Sequence, residues 1–224
     1  MRSCRSPVTR VMAASATDER ERMAGSKVLR TYVTDKSQRQ VSTKAVVDTA
    51  WQKGGLCSSV MKTLLIVYHS TTGGARQMAH AAAAGAKTEG AAVQTRLLYA
   101  TDAAPEDVLS ADAFIFAAPE NLASMSGLMK DFFDRNYYAA LDRINGRPYA
   151  ALICAGSDGS NAARQIERIA TGWRLKAIAD PLIVCIHAQT AEEILRPKQI
   201  APEDLRRCEE LGAVMAEGLS LGVF

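Results

Sequence analysis

The sequence lacks the signatures of several classes of nucleotide-binding and membrane proteins. Its 224 residues contain no G-x-x-x-x-G-K-[ST] motif, which excludes a P-loop site. No G-x-G-x-x-G motif follows its first strand-like segment, which argues against dinucleotide binding of the usual Rossmann type. No apolar stretch is long enough to span a bilayer, so a membrane span is not expected.

Metal-ligand and disulfide patterns are also missing. The five cysteines form no C-x-x-C pair, and the three histidines are scattered along the chain. Cys154 and Cys185 fall inside strand-like apolar runs. We therefore expect buried free thiols, no metal site and a protein of the reducing cytoplasm.

Basic charge is confined to the N-terminal part of the chain. Residues 1–60 contain 11 Lys+Arg against 5 Asp+Glu, and residues 61–224 contain 16 against 19. The main domain, predicted at 61–224, therefore gives no reason to expect nucleic acid as a partner. Residues 1–60 show little apolar periodicity, which predicts a disordered extension. Alternatively, translation starts at Met61, directly before the first strand.

Strand-like and helix-like segments alternate from residue 61 onward, which predicts an α/β fold with a parallel sheet between two helical layers. About 160 residues accommodate five strands in the order 2-1-3-4-5, whose ligand crevice lies at the carboxyl ends of strands one and three. The predicted strands are Leu64–Tyr68, Ala92–Leu98, Ala113–Ala117 (ended by Pro119), Tyr149–Cys154 and Leu182–Ile186. The predicted helices are Gly74–Lys87, a short one within Asp102–Leu109, Ser126–Ala139, Asn161–Thr171 and Pro202–Leu219.

The loop after the first strand is rich in hydroxyl and glycine residues and leads directly into a helix. The first amides of a helix have no intrahelical partner and favour anions, so this loop predicts a phosphate site. The loop itself contains no lysine or arginine before Arg76, and we expect neutral donors. An ordinary connection capped by Ser or Thr remains the alternative. The predicted donors are Ser70, Thr71, Thr72, Gly73, Gly74 and Ala75.

Two further loops follow strands three and four and share a small, polar character. They are expected at the same sheet edge as the first loop, because the carboxyl ends of parallel strands meet there. Three such loops can together hold a phosphate and a flat polar ring. The second loop contributes Pro119, Glu120, Asn121, Leu122, Ala123 and Ser124, and the third contributes Ala155, Gly156, Ser157, Asp158 and Gly159.

The three loops together resemble those of the flavodoxin and NAD(P)H-dependent FMN reductase superfamily. The segment 70–75 resembles its phosphate loop, 119–127 followed by 128–135 resembles its ring-binding segment, and 155–159 resembles its third flavin loop. The resemblance covers about residues 61–220 and implies a flavodoxin-like three-layer fold with non-covalent FMN. The first loop would then bind the phosphate, and the other two would flank the isoalloxazine ring. Flavodoxin with bound FMN is itself an example of the general rule that ligands of such sheets bind where the strand order reverses. That rule therefore does not independently predict FMN as the ligand.

The second and third loops contain no Trp, Tyr or Phe to stack on the ring, unlike those of electron-carrier flavodoxins. The resemblance therefore favours an FMN oxidoreductase that uses NAD(P)H and a small-molecule electron acceptor such as a quinone. Such reductases are usually dimers or tetramers, which favours a homo-oligomer. An electron carrier that docks to redox partners and a flavodoxin-like domain without flavin remain alternatives. No side chain is expected to be catalytic, because the flavin carries the chemistry.

Overall fold

The computed structural model describes residues 61–87 and 92–224, so the predicted extension 1–60 lies outside the described residues. Within them, a parallel sheet has the order β2-β1-β3-β5, with β6 and β7 both paired to the outer side of β5. A two-residue strand, β4, pairs antiparallel with the end of β3. The strands are β1 Lys62–Tyr68, β2 Val93–Tyr99, β3 Ala113–Asn121, β4 Ser124–Met125, β5 Pro148–Ala155, β6 Lys176–Ala177 and β7 Leu182–Cys185.

Helices cover both faces of the sheet because the central strands are apolar on both sides. Leu64 and Ile66 pack in one buried cluster with α1 and α6, whereas Leu65 and Val67 pack in the other with α2, α3 and α4. Phe132 and Phe133 are fully buried in the second cluster. The helices are α1 Gly74–Gly85, α2 Pro105–Ser110, α3 Gly127–Ala140, α4 Ser160–Gly172, α5 Ala191–Leu195 and α6 Pro202–Leu221.

The predicted fold and strand order are confirmed, with β5 and β7 as the fourth and fifth predicted strands. The prediction that Pro119 ends the third strand is wrong. Pro119 lies opposite Cys154 in the parallel ladder, and β3 continues to Asn121. The continuation is possible because the residues after the proline leave β5 and pair with β4 in a hairpin. The sequence reasoning also missed the short elements β4, β6 and α5.

The strand register brings the ends of β1, β2, β3 and β5 to one edge of the sheet. Tyr68 is paired with Tyr99 on one side and with Ala117 on the other. Ala118 is in turn paired with Ile153, two residues before the end of β5. The loops that follow these strands are therefore neighbours, as the strand order predicts. None of the helices in the described ranges is long and apolar enough to cross a membrane.

Candidate functional site

The loop between β1 and α1 (loop one, residues 69–75) presents a series of donors at a helix N-terminus. Gly73 is the N-cap and has φ +92°, a left-handed conformation that favours glycine. The first intrahelical bond runs from the Gln77 amide to the Gly73 carbonyl at 3.1 Å. The amides of residues 74–76 therefore precede the hydrogen-bonded part of the helix and are available to an anion.

Ser70 takes part in the turn without capping the helix in the way the alternative interpretation required. Its Oγ accepts a hydrogen bond from the Gly73 amide at 3.1 Å, and α1 has no side-chain cap. The hydroxyl hydrogen of Ser70 thus remains a donor for another acceptor. Thr71 and Thr72 line the same cavity as Ser70, so the three predicted hydroxyls lie together.

The next residue of loop one is enclosed rather than open. A Cβ added to Gly74 would collide with the Cys154 Sγ and would touch Lys198 and Ile200. Burial raises the pKa of the Cys154 thiol to about 11, so this thiol is neutral and inert at physiological pH. Gly74 is therefore required by close packing at the start of α1.

The second predicted loop (loop two, residues 119–124) is a tight hairpin rather than an open loop. Asn121 pairs with Ser124, and the two residues between them both have positive φ: 50° at Leu122 and 57° at Ala123. Two-residue hairpins of this kind usually carry Asn-Gly, because other side chains are strained there. Leu122 is also fully exposed. Strain of this kind concentrates at functional sites.

Loops two and three are joined directly by hydrogen bonds. Glu120 Oε2 accepts from the Gly159 amide at 3.0 Å, and Asn161 Nδ2 donates to the Ala123 carbonyl at 2.5 Å. Ser124 Oγ is bonded to Gln165 on α4 at 2.8 Å. The structure thus brings together the two loops that were predicted to flank a ring. Asn161 and Gln165, which support them from α4, were missed by the sequence reasoning.

A further segment that the sequence reasoning missed, residues 187–200, crosses the same edge; we call it the cover segment. The Lys198 amide donates to the Thr72 carbonyl at 2.8 Å, and Gln77 Nε2 donates to the Lys198 carbonyl at 2.7 Å. Gln189 Nε2 donates to Ser157 Oγ in loop three at 3.0 Å. The cover segment therefore ties loop one to loop three. The length of the cover segment is the feature of the sequence that could have indicated its importance, since long connections in compact domains are usually functional.

Negative charge gathers at loop three. Burial raises the pKa of the Cys185 thiol, and the carboxylates of Asp158 and Glu120 raise it further, so both carboxylates lie near this thiol. Cys185 contacts the carbonyls of Ser157 and Asp158. Across the edge, burial lowers the pKa of His69, whose Nδ1 has no hydrogen-bond partner in the described part of the chain. In the described ranges, no group of three His, Cys, Asp or Glu could hold a metal ion.

A cavity of about 480 Å³ lies beside loop one. Arg76, from the first turn of α1, lines it, so a cation stands next to the donors that we expected to act alone. Two tyrosines at strand ends and two residues of the cover segment complete the wall. The lining residues are Tyr68, Ser70, Thr71, Thr72, Gly73, Arg76, Tyr99, Leu195 and Pro197.

Comparison with known families and sequences finds similarity to a reductase family and to redox proteins. Residues 99–189 match the family model described as NADPH-dependent FMN reductase. A flavodoxin from Aquifex aeolicus is 35% identical over 100 residues, which cover 44% of this chain and 53% of the relative. An NAD(P)H dehydrogenase (quinone) from Acidithiobacillus ferrooxidans is 32% identical over 94 residues, covering 34% and 47% of the two chains. The chain thus spans about half the length of the curated relatives it matches.

Solved structures show the same fold. A flavodoxin from the domain Archaea superposes with a TM-score of 0.58 at 21% identity, covering 70% of this chain and 98% of its own. A WrbA-like flavodoxin from Agrobacterium tumefaciens superposes with a TM-score of 0.56 at 18% identity, covering 71% and 98% of the two chains. At these identities the likeness concerns the fold.

Proposed function

We propose that the chain is a member of the flavodoxin-like and FMN reductase superfamily, which its similarities favour, and that it is an FMN-dependent oxidoreductase that oxidises NAD(P)H and reduces a quinone or similar small acceptor. The observation that carries the proposal is the direct contact between loops two and three beside loop one. The Glu120–Gly159 hydrogen bond closes one side of a site whose other side holds unpaired helix amides.

The donor set of loop one fits a nucleotide phosphate. Ser70, Thr71 and Thr72 supply hydroxyls, the helix start supplies amides, and Arg76 supplies positive charge on the same cavity. Charge-assisted bonds to a phosphate are stronger than bonds between neutral groups. When bound, FMN would supply the two-electron chemistry that amino-acid side chains do not provide.

Loops two and three would then hold the ring and leave one face open to reactants. Apart from the exposed Leu122, their residues are small or polar, and the aromatic residues nearest in sequence, Phe116 and Tyr149, are buried in the core. Glu120 is held by the Gly159 amide, so its carboxylate is fixed near the predicted ring position. A fixed negative charge there would disfavour an anionic reduced ring by Coulomb repulsion.

The test is a visible spectrum of the full chain after incubation with excess FMN and gel filtration, followed by NADPH without oxygen and then by a quinone. We expect a retained yellow spectrum that NADPH bleaches and the quinone restores. Ser70→Ala should weaken FMN retention, whereas Ser110→Ala, an exposed serine on α2, should not. A protein that retains no FMN would contradict the proposal.

The second candidate function is that of an electron carrier, which the identity with the Aquifex flavodoxin favours. The same experiment separates the two functions. A carrier retains FMN but is not bleached by NADPH directly, and it accumulates a one-electron reduced form during titration with dithionite. A reductase is bleached by NADPH at a rate that saturates with its concentration.

A further inference from the structure

The cavity beside loop one is much larger than the phosphate group that loop one is predicted to bind. Its volume of about 480 Å³ lies within the range of whole small-molecule sites, roughly 300–1,000 Å³. It extends from Ser70–Gly73 toward the ends of β1 and β2. No residue of loops two or three lines it, so FMN with its ring between those loops leaves this space open.

The far wall of the cavity combines aromatic and apolar surface. Tyr68 and Tyr99 stand edge to face with ring centroids 5.3 Å apart. Neither tyrosine hydroxyl has a hydrogen-bond partner among the described residues, so both are available to a ligand. Aromatic side chains of this kind stack on nucleobases with little base preference.

The cover segment adds apolar surface to the cavity lining that the core does not use. Helix α5 has no buried residue, and Leu195 at its end is 77% exposed while lining the cavity together with Pro197. The helix begins with a capping box between Thr190 and Glu193. Lys198 connects it to loop one, because its Nζ donates to the Ile194 carbonyl at 2.9 Å and its amide donates to the Thr72 carbonyl at 2.8 Å. A fixed, exposed leucine at the rim of a cavity gains burial only when a ligand arrives.

We propose that this cavity binds the adenosine monophosphate part of a dinucleotide. The base would pack between the tyrosines and Leu195–Pro197, and its phosphate would lie near Arg76, whose guanidinium has no ion-pair partner in the described part of the chain. The proposal rests on the proposed function, because it takes loop one as the phosphate site. The adenosine group can come from FAD as the bound flavin or from NAD(P)H.

Two titrations of the full chain by calorimetry distinguish these sources. In the first, FAD and FMN are each added to flavin-free protein, and an FAD dissociation constant at least fivefold lower assigns the cavity to FAD. In the second, AMP alone is added to FMN-loaded protein, and saturable binding without FMN release assigns it to a separate adenine nucleotide. Either result supports the proposal. No FAD preference together with no AMP binding at millimolar concentration overturns it.

Leu195→Ala is the discriminating variant, because an exposed leucine can be truncated without loss of the fold. It should abolish the FAD preference or weaken AMP binding at least fivefold, while FMN affinity stays within twofold. Leu221→Ala, which removes a similarly exposed leucine on α6, should change neither. If Leu195→Ala weakens FMN as much as FAD or AMP, the cavity holds FMN itself and the proposal is wrong.

Failure of the proposed function has a different signature. If FMN is not retained but AMP binds and responds to Leu195→Ala, the oxidoreductase assignment fails while the adenosine site stands. If FMN is retained and bleached by NADPH, yet FAD is not preferred and AMP does not bind, the adenosine site alone fails. Tyr99→Leu provides a second readout, because the loss of the aromatic face should weaken AMP or FAD in the same way as Leu195→Ala.

Discussion

Loops one and three have the same local design but different surroundings. In each, a buried strand ends in a short loop, and a glycine with positive φ caps the following helix: Gly73 with φ +92° and Gly159 with φ +77°. A Cβ at Gly73 would meet only the tips of Arg76 and Gln77, at 3.7 and 3.9 Å. A Cβ at Gly159 would lie 2.6 Å from Ile183 and 2.9 Å from Ala155.

The difference teaches that one backbone motif can border open space at one position and be closely packed at another. Loop one faces a cavity, and its glycine leaves space for a ligand to approach. Loop three lies against β7. Because Gly159 has no side chain, Ile183 and Ala155 can pack directly against the turn. Sequence alone predicts a ligand at both loops, because the difference depends on which residues pack against the glycine.

The largest expected effect is that of Gly159→Ala. A left-handed alanine costs about 1–2 kcal/mol, and overpacking adds about 1–3 kcal/mol. Gly73→Ala should cost only the backbone strain, about 1–2 kcal/mol. Urea unfolding of the two variants measures both costs. Equal losses would show that Gly159 is not closely packed and would remove the contrast between the loops.

A smaller effect is expected at Gly74, the enclosed neighbour of the open Gly73. Gly74→Ala forces a Cβ against the Cys154 Sγ, for which overpacking of about 1–3 kcal/mol is typical. In a Cys154→Ala background the clash is gone, and alanine should then gain up to about 1 kcal/mol from its higher helix propensity.

A double-mutant cycle of unfolding free energies separates the two contributions, because the residues are in direct contact. We expect a coupling free energy of at least about 1 kcal/mol. The double variant should lose less unfolding free energy than the two single variants lose together. Gly172→Ala, at a helical glycine with open space around it, is the control and should show no coupling to Cys154→Ala. Additivity at Gly74 would mean that the thiol moves aside freely.

Much of the fold could be predicted because its signals are local. The apolar runs at β1, β3 and β5 and the helical periodicity of α3 and α6 indicate the element types, and the alternation of strands and helices fits the strand order that the structure has. The end of β3 could not be predicted, because Pro119 suggests a stop and the hairpin beyond it depends on pairing with Ser124–Met125. Leu122 and Ala123 likewise lack the usual residues of a positive-φ turn.

The candidate site was predicted in part for a similar reason. The hydroxyl and glycine residues of loop one are contiguous, so their pattern is visible in the sequence. Arg76, Tyr99 and Leu195 reach the same cavity from a helix, an edge strand and a segment more than 90 residues away from that strand. The strand register and the contacts of the cover segment with Thr72 and Gln77 bring them together.

Loop one differs from loop three in a further way, since it begins with a buried titratable group. His69 is 8% exposed, its Nδ1 has no partner among the described residues, and its ring lies 5.6 Å from that of Tyr99. Burial lowers its pKa below the ordinary value of about 6.5. The folded protein therefore holds this imidazole neutral where the unfolded chain would protonate it.

The smallest expected effect is the pH dependence that follows from His69. Between its folded and unfolded pKa values the unfolded chain binds more protons, so stability falls as the pH drops below about 6.5. One histidine contributes a slope of at most about 1.4 kcal/mol per pH unit. Carboxylates titrate in the same direction, so the measurement is the difference in unfolding free energy between wild type and His69→Phe from pH 5 to 8. That difference should be constant above about pH 7 and should shift in favour of the variant below it. If the difference in unfolding free energy between wild type and His69→Phe does not change with pH, the Nδ1 of His69 finds a hydrogen-bond partner on protonation. The start of loop one would then not be closed to solvent.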